Sequence, residues 1–370
     1  MQITLPNKKE LTLFFISISI SLIIGILILD FYSQKRTFWH GPNTKFNSEL
    51  GWTTIPNLSL DFDGNKFTTN SLGFRSPEVD RNKKHILIVG DSVVWGYGVN
   101  DDETMTHYLS KQLTDRGIKD YQVLNLGVSG FGIGQYFLRL KRQIQGLNPK
   151  IIITVIHAGN DFEETSRNVS YGKSKPHYIN QEGKLVLTNT PISKYSCNNV
   201  ASRPIFLMFN WLHSLIKKNI CNEISLNKEN TEIVINDLLE KINSLALQYN
   251  AQSLFVINPT RWDFRIYSCQ PAKWGKLSNA EVCARRGKKL DTIVQREIKS
   301  KTLIGQRSRV FELEKIFDNS NLQYYSFFKN FRNLEHDLDE YYVDNDHYSS
   351  IGNRKFSSIL FDFLPKSGLT

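Results

Sequence analysis

Four cysteines in 370 residues are too few and too scattered for a metal framework. Cys197, Cys221, Cys269 and Cys283 form no Cys-x-x-Cys pair, which argues against a structural zinc or a thioredoxin-like couple. No dense block of Lys or Arg stands anywhere in the chain, although the formal net charge is +10. A nucleic-acid partner is therefore not expected; the charge suits a diffuse anionic surface such as phospholipid or acidic glycan. No internal repeat or low-complexity tract is present, so a solenoid or array is not expected either. With 40% hydrophobic and 22% charged residues, the chain has a globular composition and length enough for one large domain or two modest ones.

One stretch lacks charge altogether. Leu11 to Leu29 reads LTLFFISISISLIIGILIL, and at about 1.5 Å per residue it nearly spans a hydrocarbon core of roughly 30 Å. No small-x-small cleavage site follows it, because the next residues are Asp30-Phe31-Tyr32. The expectation is an uncleaved anchor over residues 1–36. Lys8 and Lys9 before the run nearly balance Lys35 and Arg36 after it, so flanking charge does not set the orientation. One apolar segment ahead of a large domain reads as an export signal, which places the remainder outside the cytoplasm. There the sequence-near cysteines would pair as 197–221 and 269–283.

Residues 37–80 are polar, with turn signals at Gly41-Pro42, Pro56-Asn57 and Asp63-Gly64. Leu58–Phe62 and Lys66–Thr69 predict a short hairpin in a β-rich leader, too small to fold alone. From residue 81 to 370 the pattern changes. Strands are predicted at His85–Val89, Tyr121–Leu126, Ile151–Ile156, Ser253–Ile257 and Val310–Leu313. Helices are predicted near 103–116, 135–145, 231–249, 279–299 and 350–363. Strands alternating with helices in this way predict an α/β domain with a central parallel sheet covered on both faces. The alternation lapses over about 162–230, an insertion with a hairpin at Tyr178–Leu187 and an amphipathic helix near 203–220.

The chemistry-bearing residues stand where strands end. Gly90-Asp91-Ser92 closes the first strand, Asn125-Leu126-Gly127-Val128-Ser129-Gly130 the second, and Gly159-Asn160-Asp161 follows the third. Asp344-Asn345-Asp346-His347 precedes the last helix. Open α/β sheets bind ligands at the carboxyl ends of their strands. A serine hydroxyl needs a base near neutrality, and a histidine base needs a carboxylate to fix its tautomer. A tetrahedral oxyanion needs donors, which a glycine amide and an asparagine amide provide. Each block alone also reads as turn or cap chemistry; their order along the chain does not follow from that. An α/β-hydrolase elbow is excluded because Gly-x-Ser-x-Gly would need glycine at position 94, which is Val94. A magnesium-dependent aspartyl phosphotransferase would be expected to offer a second carboxylate beside Asp91, where Ser92 and Val93 stand instead.

These four blocks resemble the signature blocks of the SGNH/GDSL hydrolases over roughly residues 82–365. The resemblance implies a flavodoxin-like three-layer α/β/α sandwich and an esterase without cofactor or metal, acting on acyl groups of carbohydrates or lipids. By the same resemblance Ser92 is the nucleophile, His347 the base and Asp344 its partner. The Ser92 amide, Gly130 and Asn160 form the oxyanion hole. Leu50-Gly51-Trp52 and Asn70 to Arg75 look like the leader of membrane-anchored bacterial members. The first block departs from the family in carrying Val93 for leucine. Asp346 and Gly127 are rivals to Asp344 and Gly130, and the choice between them rests on family spacing. An acyltransferase with the same triad and a degenerate binding domain are the alternatives.

Overall fold

The computed structural model describes residues 8–37, 41–192, 224–261, 263, 309–330, 338–344 and 346–364. It begins with α1 (Lys8–Thr37), 30 residues long. The serines in its apolar run bond back along the helix, Ser17 to the Phe14 carbonyl and Ser19 to that of Phe15, both at 2.9 Å. Leu13, Phe14, Phe15, Leu22 and Ile23 stand exposed on it. Among the described residues no helix is long and apolar enough to cross a membrane.

Two hairpins follow: β1 (Thr44–Asn47) with β2 (Gly51–Thr54), and β3 (Ser59–Phe62) with β4 (Asn65–Thr68). The second is the hairpin expected from sequence. Its Asp63-Gly64 turn has φ of 54° and 75°, the left-handed pair that a tight two-residue connection requires. The first was not anticipated, because its strands are polar. The second is fastened to the main body by Thr68, whose N–H and hydroxyl donate to Asp101 Oδ2 at 2.9 and 2.7 Å, and the first by a buried arginine. Arg139, completely buried, donates to Thr53 Oγ1 at 3.0 Å, Thr54 Oγ1 at 3.2 Å and the Gly73 carbonyl at 3.3 Å.

The main body runs β5 (Lys84–Val89), α2 (Ser92–Trp95), α3 (Met105–Asp115), β6 (Tyr121–Asn125), α4 (Ile133–Gln143), β7 (Pro149–His157) and α5 (Asp161–Ser166). Two small hairpins come next, β8–β9 (Val169–Ser170 and Lys173–Ser174) and β10–β11 (His177–Gln181 and Lys184–Thr188). Then come α6 (Lys228–Gln248), β12 (Gln252–Asn258), α7 (Val310–Asp318), β13 (Tyr324–Ser326), α8 (Phe327–Asn330), α9 (Leu338–Tyr341) and α10 (Ser350–Phe363). Five strands form one parallel sheet in the order β6-β5-β7-β12-β13. Numbered by appearance that is 2-1-3-4-5, the flavodoxin-like order, with its switch point between β5 and β7. The β5–β6 and β6–β7 crossovers run in opposite directions. Right-handedness therefore places α3 and α4 on opposite faces. The helix pairs agree: α3 packs with α10, and α4 with α6. Covered on both faces, Ile86 to Val89 and Ile151 to Ile153 have no exposed surface.

One predicted strand is corrected. Val310–Leu313 is the first turn of α7, whose buried Val310, Leu313, Ile316 and Phe317 repeat at helical spacing. The fifth strand is instead Tyr324–Ser326. The predicted helices near 203–220 and 279–299 lie outside the described residues. So do all four cysteines, and with them the 197–221 and 269–283 pairs.

Candidate active site

The short helix α2 starts the site. Asp91, with its side chain fully buried, caps it by accepting from Val93 N–H at 2.9 Å. A four-residue helix leaves every carbonyl without an intrahelical partner beyond its first turn. Here those of Ser92, Val94 and Trp95 are taken up. Gly96 and Tyr97 N–H donate to the Ser92 carbonyl at 3.0 and 3.1 Å. The buried Asn125 amide donates to the Val94 carbonyl at 2.7 Å. Arg75 reaches in from the leader to the carbonyls of Trp95 (3.0 Å), Gly96 (2.6 Å) and Val99 (2.8 Å), and pairs with Asp101 at 2.8 Å. Ser92 is thus held on a helix too short to stand alone. Sequence reading placed Arg75 in the leader and gave it no such role.

The candidate base, His347, comes from the loop before α10. Val343 N–H donates to the His347 carbonyl at 2.9 Å, Tyr342 and Tyr348 form a bridge, and Ser349 caps α10 through Gly352 N–H at 3.2 Å. This loop brings His347 Nε2 within 2.8 Å of Ser92 Oγ. His347 Nδ1 lies 2.7 Å from Asp344 Oδ2. The other Asp344 oxygen accepts from the backbone N–H of Asp346 and His347, both at 2.8 Å. Partial burial would raise the Asp344 carboxyl, but His347 and these amides outweigh it and bring it down to about 2. Asp346, the rival carboxylate, turns away from His347 Nδ1.

The expected oxyanion donors come from the ends of β5, β6 and β7. Among the described residues neither Ser92 N–H nor Gly130 N–H has a hydrogen-bond partner. Gly127, the rival to Gly130, spends its N–H on Asn125 Oδ1 at 3.0 Å. Asn160 Nδ2 donates to Asp91 Oδ2 at 3.2 Å, and the same side-chain amide faces the Tyr171 hydroxyl. Asp161 is buried beside them, accepting from Tyr136 hydroxyl and His157 N–H, each at 2.7 Å. Burial, and then the Asp91 charge, push its carboxyl well up.

Two tyrosines border these groups. Tyr97 lies tilted on the His347 ring, with centroids 4.7 Å apart. Tyr171 is 66% exposed and occupies a left-handed φ of 49°, costly for a bulky residue. A Cβ on Gly130 would come within 2.8 Å of the Tyr171 ring. Glycine is therefore needed at position 130 twice, for this approach and for its own φ of 75°. Among the described residues no group of His, Cys, Asp and Glu side chains is arranged to hold a metal ion.

No protein-family model matches the chain, and no curated protein does. Among solved structures it is similar to the acetyl xylan esterase AlAXEase (12% identity, 76% of this chain and 100% of that one, TM-score 0.39). It is also similar to the lipase/acylhydrolase from Enterococcus faecalis (12% identity, 76% and 94%, TM-score 0.34). A third is a member of the lipolytic protein G-D-S-L family from Veillonella parvula DSM 2008 (10% identity, 76% and 99%, TM-score 0.36). Likeness this distant carries no chemistry; the side chains do.

Proposed function

We propose that the chain is a serine esterase of the SGNH/GDSL type that hydrolyses an O-acyl ester of a carbohydrate or lipid. The observation that carries this reading is the unbroken line from Asp344 through His347 to Ser92, at 2.7 and 2.8 Å. His347 Nε2 takes the Ser92 proton as Oγ attacks the ester carbonyl. Asp344 steadies the imidazolium, and the oxyanion meets Ser92 N–H, Gly130 N–H and the Asn160 side-chain amide, which turns to it from the Tyr171 hydroxyl. The protonated His347 then gives its proton to the leaving alcohol. Water attacks the acyl-enzyme by the same route in reverse.

The test is incubation of the detergent-solubilised chain with short-chain p-nitrophenyl esters and with acetylated glycans. Release of nitrophenol and of acid supports the reading; neither, from folded protein, ends it. Asn160→Ala is expected to lower kcat by about 10²–10³, because one of three donors is lost. Steady-state kinetics check this, and a loss below about threefold would remove Asn160 from the hole.

The reading extends to location: α1 anchors the chain in a membrane, with residues 37–370 on the extracytoplasmic side. Its support is the uncharged run Leu11–Leu29 on a continuous helical backbone, and translocation of long domains largely regardless of charge. Protease added to intact spheroplasts should degrade the body of the protein. Survival until the membrane is permeabilised would reverse the orientation.

A further inference from the structure

His157, the last residue of β7, takes no part in the proton path, yet its ring is 1% exposed and surrounded by ionisable groups. Its Nε2 lies 3.5 Å from Asp346 Oδ1. Its Nδ1 lies 2.9 Å from the Asn258 side-chain amide at the end of β12, and Asn258 Oδ1 accepts from Tyr348 hydroxyl at 2.7 Å. Asp346 and Tyr348 are the two sequence neighbours of His347. Both thus face one buried ring, Asp346 across an ion-pair distance of 3.5 Å and Tyr348 through Asn258.

The ring is fixed in turn to the oxyanion side. His157 N–H donates to Asp161 Oδ2 at 2.7 Å, and the His157 carbonyl accepts from Asn160 N–H at 3.4 Å. The turn after it leaves room for the pair. A Cβ on Gly159 would fall 2.7 Å from His157 Nε2 and 3.0 Å from Asp346 Oδ1. The Gly159 in Gly-Asn-Asp therefore has a spatial reason beyond turn chemistry.

The charges facing the ring are Asp346 from the base loop, Asp91 from the end of β5 and Asp161 from α5. Burial lowers the His157 imidazole and these carboxylates raise it, while the Asn258 amide, its Oδ1 taken by Tyr348, leaves Nδ1 as acceptor and Nε2–H toward Asp346. The contact with His157 in turn holds the Asp346 carboxyl below its usual range.

We propose that His157 is a positioning residue: by gripping Asp346 and, through Asn258, Tyr348, it sets the base loop against the oxyanion turn so that His347 meets Ser92 in register with Gly130 and Asn160. This rests on the esterase reading. Asp346 is then a strut, and the Asp-Asn-Asp-His loop divides its two carboxylates between aligning the base and anchoring the loop. A misplacement of the order of 1 Å costs about 10²-fold in rate, which sets the size of the expected effect.

The test compares His157→Gln, Asp346→Ala and the double variant with the wild type, each as full-length chain in detergent. Reactive sites are counted by titration with a fluorophosphonate, so that kcat is expressed per competent serine. Each single variant should lose about 10- to 100-fold in kcat, with KM within about twofold, and in the rate of Ser92 phosphonylation. The double variant should be no slower than the worse single one, because the two residues act through one contact. A His157→Gln enzyme with wild-type kcat per titrated site overturns the proposal, even if fewer sites titrate, since that marks a merely structural role. If His157→Gln does not fold, Asp346→Ala decides, because its side chain is half exposed; unchanged kcat there overturns the proposal equally. A wild-type chain that neither hydrolyses esters nor reacts with the phosphonate brings down the esterase reading itself, a result distinct from an active wild type with unaffected variants.

Discussion

Ser92→Ala should abolish ester turnover, lowering kcat by about 10⁴–10⁶ while thermal unfolding stays unchanged. The hydroxyl sits 2.8 Å from His347 Nε2, and no other serine or cysteine among the described residues is placed on that base. Removing it costs little structure. The Asp91 cap on Val93 N–H and the Arg75 and Asn125 bonds to the carbonyls of α2 all involve other atoms. The measurement is p-nitrophenyl acetate hydrolysis beside a melting curve. Undiminished activity in purified variant would remove Ser92 from the chemistry; if the melting point is lowered, the assay is run well below it, where the variant is folded.

Asp344→Asn is expected to cost about 10⁴ in kcat with little change in KM. The amide keeps the shape but cannot stabilise the imidazolium, and it favours the wrong tautomer of the base. The same carboxylate makes a pH prediction. Its pKa in the folded protein, about 2, lies below the usual aspartate value of about 3.9. Its contribution to stability is therefore present above about pH 4 and is lost as the pH falls through about 2. Over the range where histidines titrate Asp344 stays ionised. Asp344 should consequently add nothing to the acid limb of kcat/KM above about pH 4, and an acid limb of identical slope in wild type and Asp344→Asn checks this. Asp346, facing His157, should give a much smaller loss, so the pair of variants also decides between the two carboxylates of the loop.

Much of the sheet was legible because its strands are apolar runs with abrupt ends. His85–Val89 and Ile151–Ile156 are buried on both faces, and such strands advertise themselves by composition alone. The edge that carries the candidate site was marked in the same way, since polar triplets follow those runs at once. The misassigned Val310–Leu313 shows the limit of a four-residue window. Four apolar or mixed residues fit either period, and only Ile316 and Phe317 further on reveal the helix. Tyr324–Ser326 is three residues of tyrosine and serine, and nothing local marks it as the closing strand.

The supports of the site were less legible than its reacting groups. Arg75, Arg139 and His157 are buried polar side chains whose partners are carbonyls and carboxylates far along the chain. No periodicity signals such contacts, because burial of a charge is decided by what the fold brings to it. Asp346 stood beside His347 in sequence and was a natural rival for the triad. Only the direction in which it points, toward His157, separates it from Asp344.

The leader has a consequence for reach. The helix α1 ends at Thr37 and β1 begins at Thr44, and seven residues fully extended cover at most about 25 Å. That leash cannot lengthen by peeling away the next segment, because Arg75 and the threonines held by Arg139 bind it to the main body. A body of this size is roughly 50 Å across, wider than its tether is long. On the proposal that α1 is an anchor, such an enzyme could not forage into the surrounding medium, and its substrates would be esters carried by molecules that lie at the membrane or come to it.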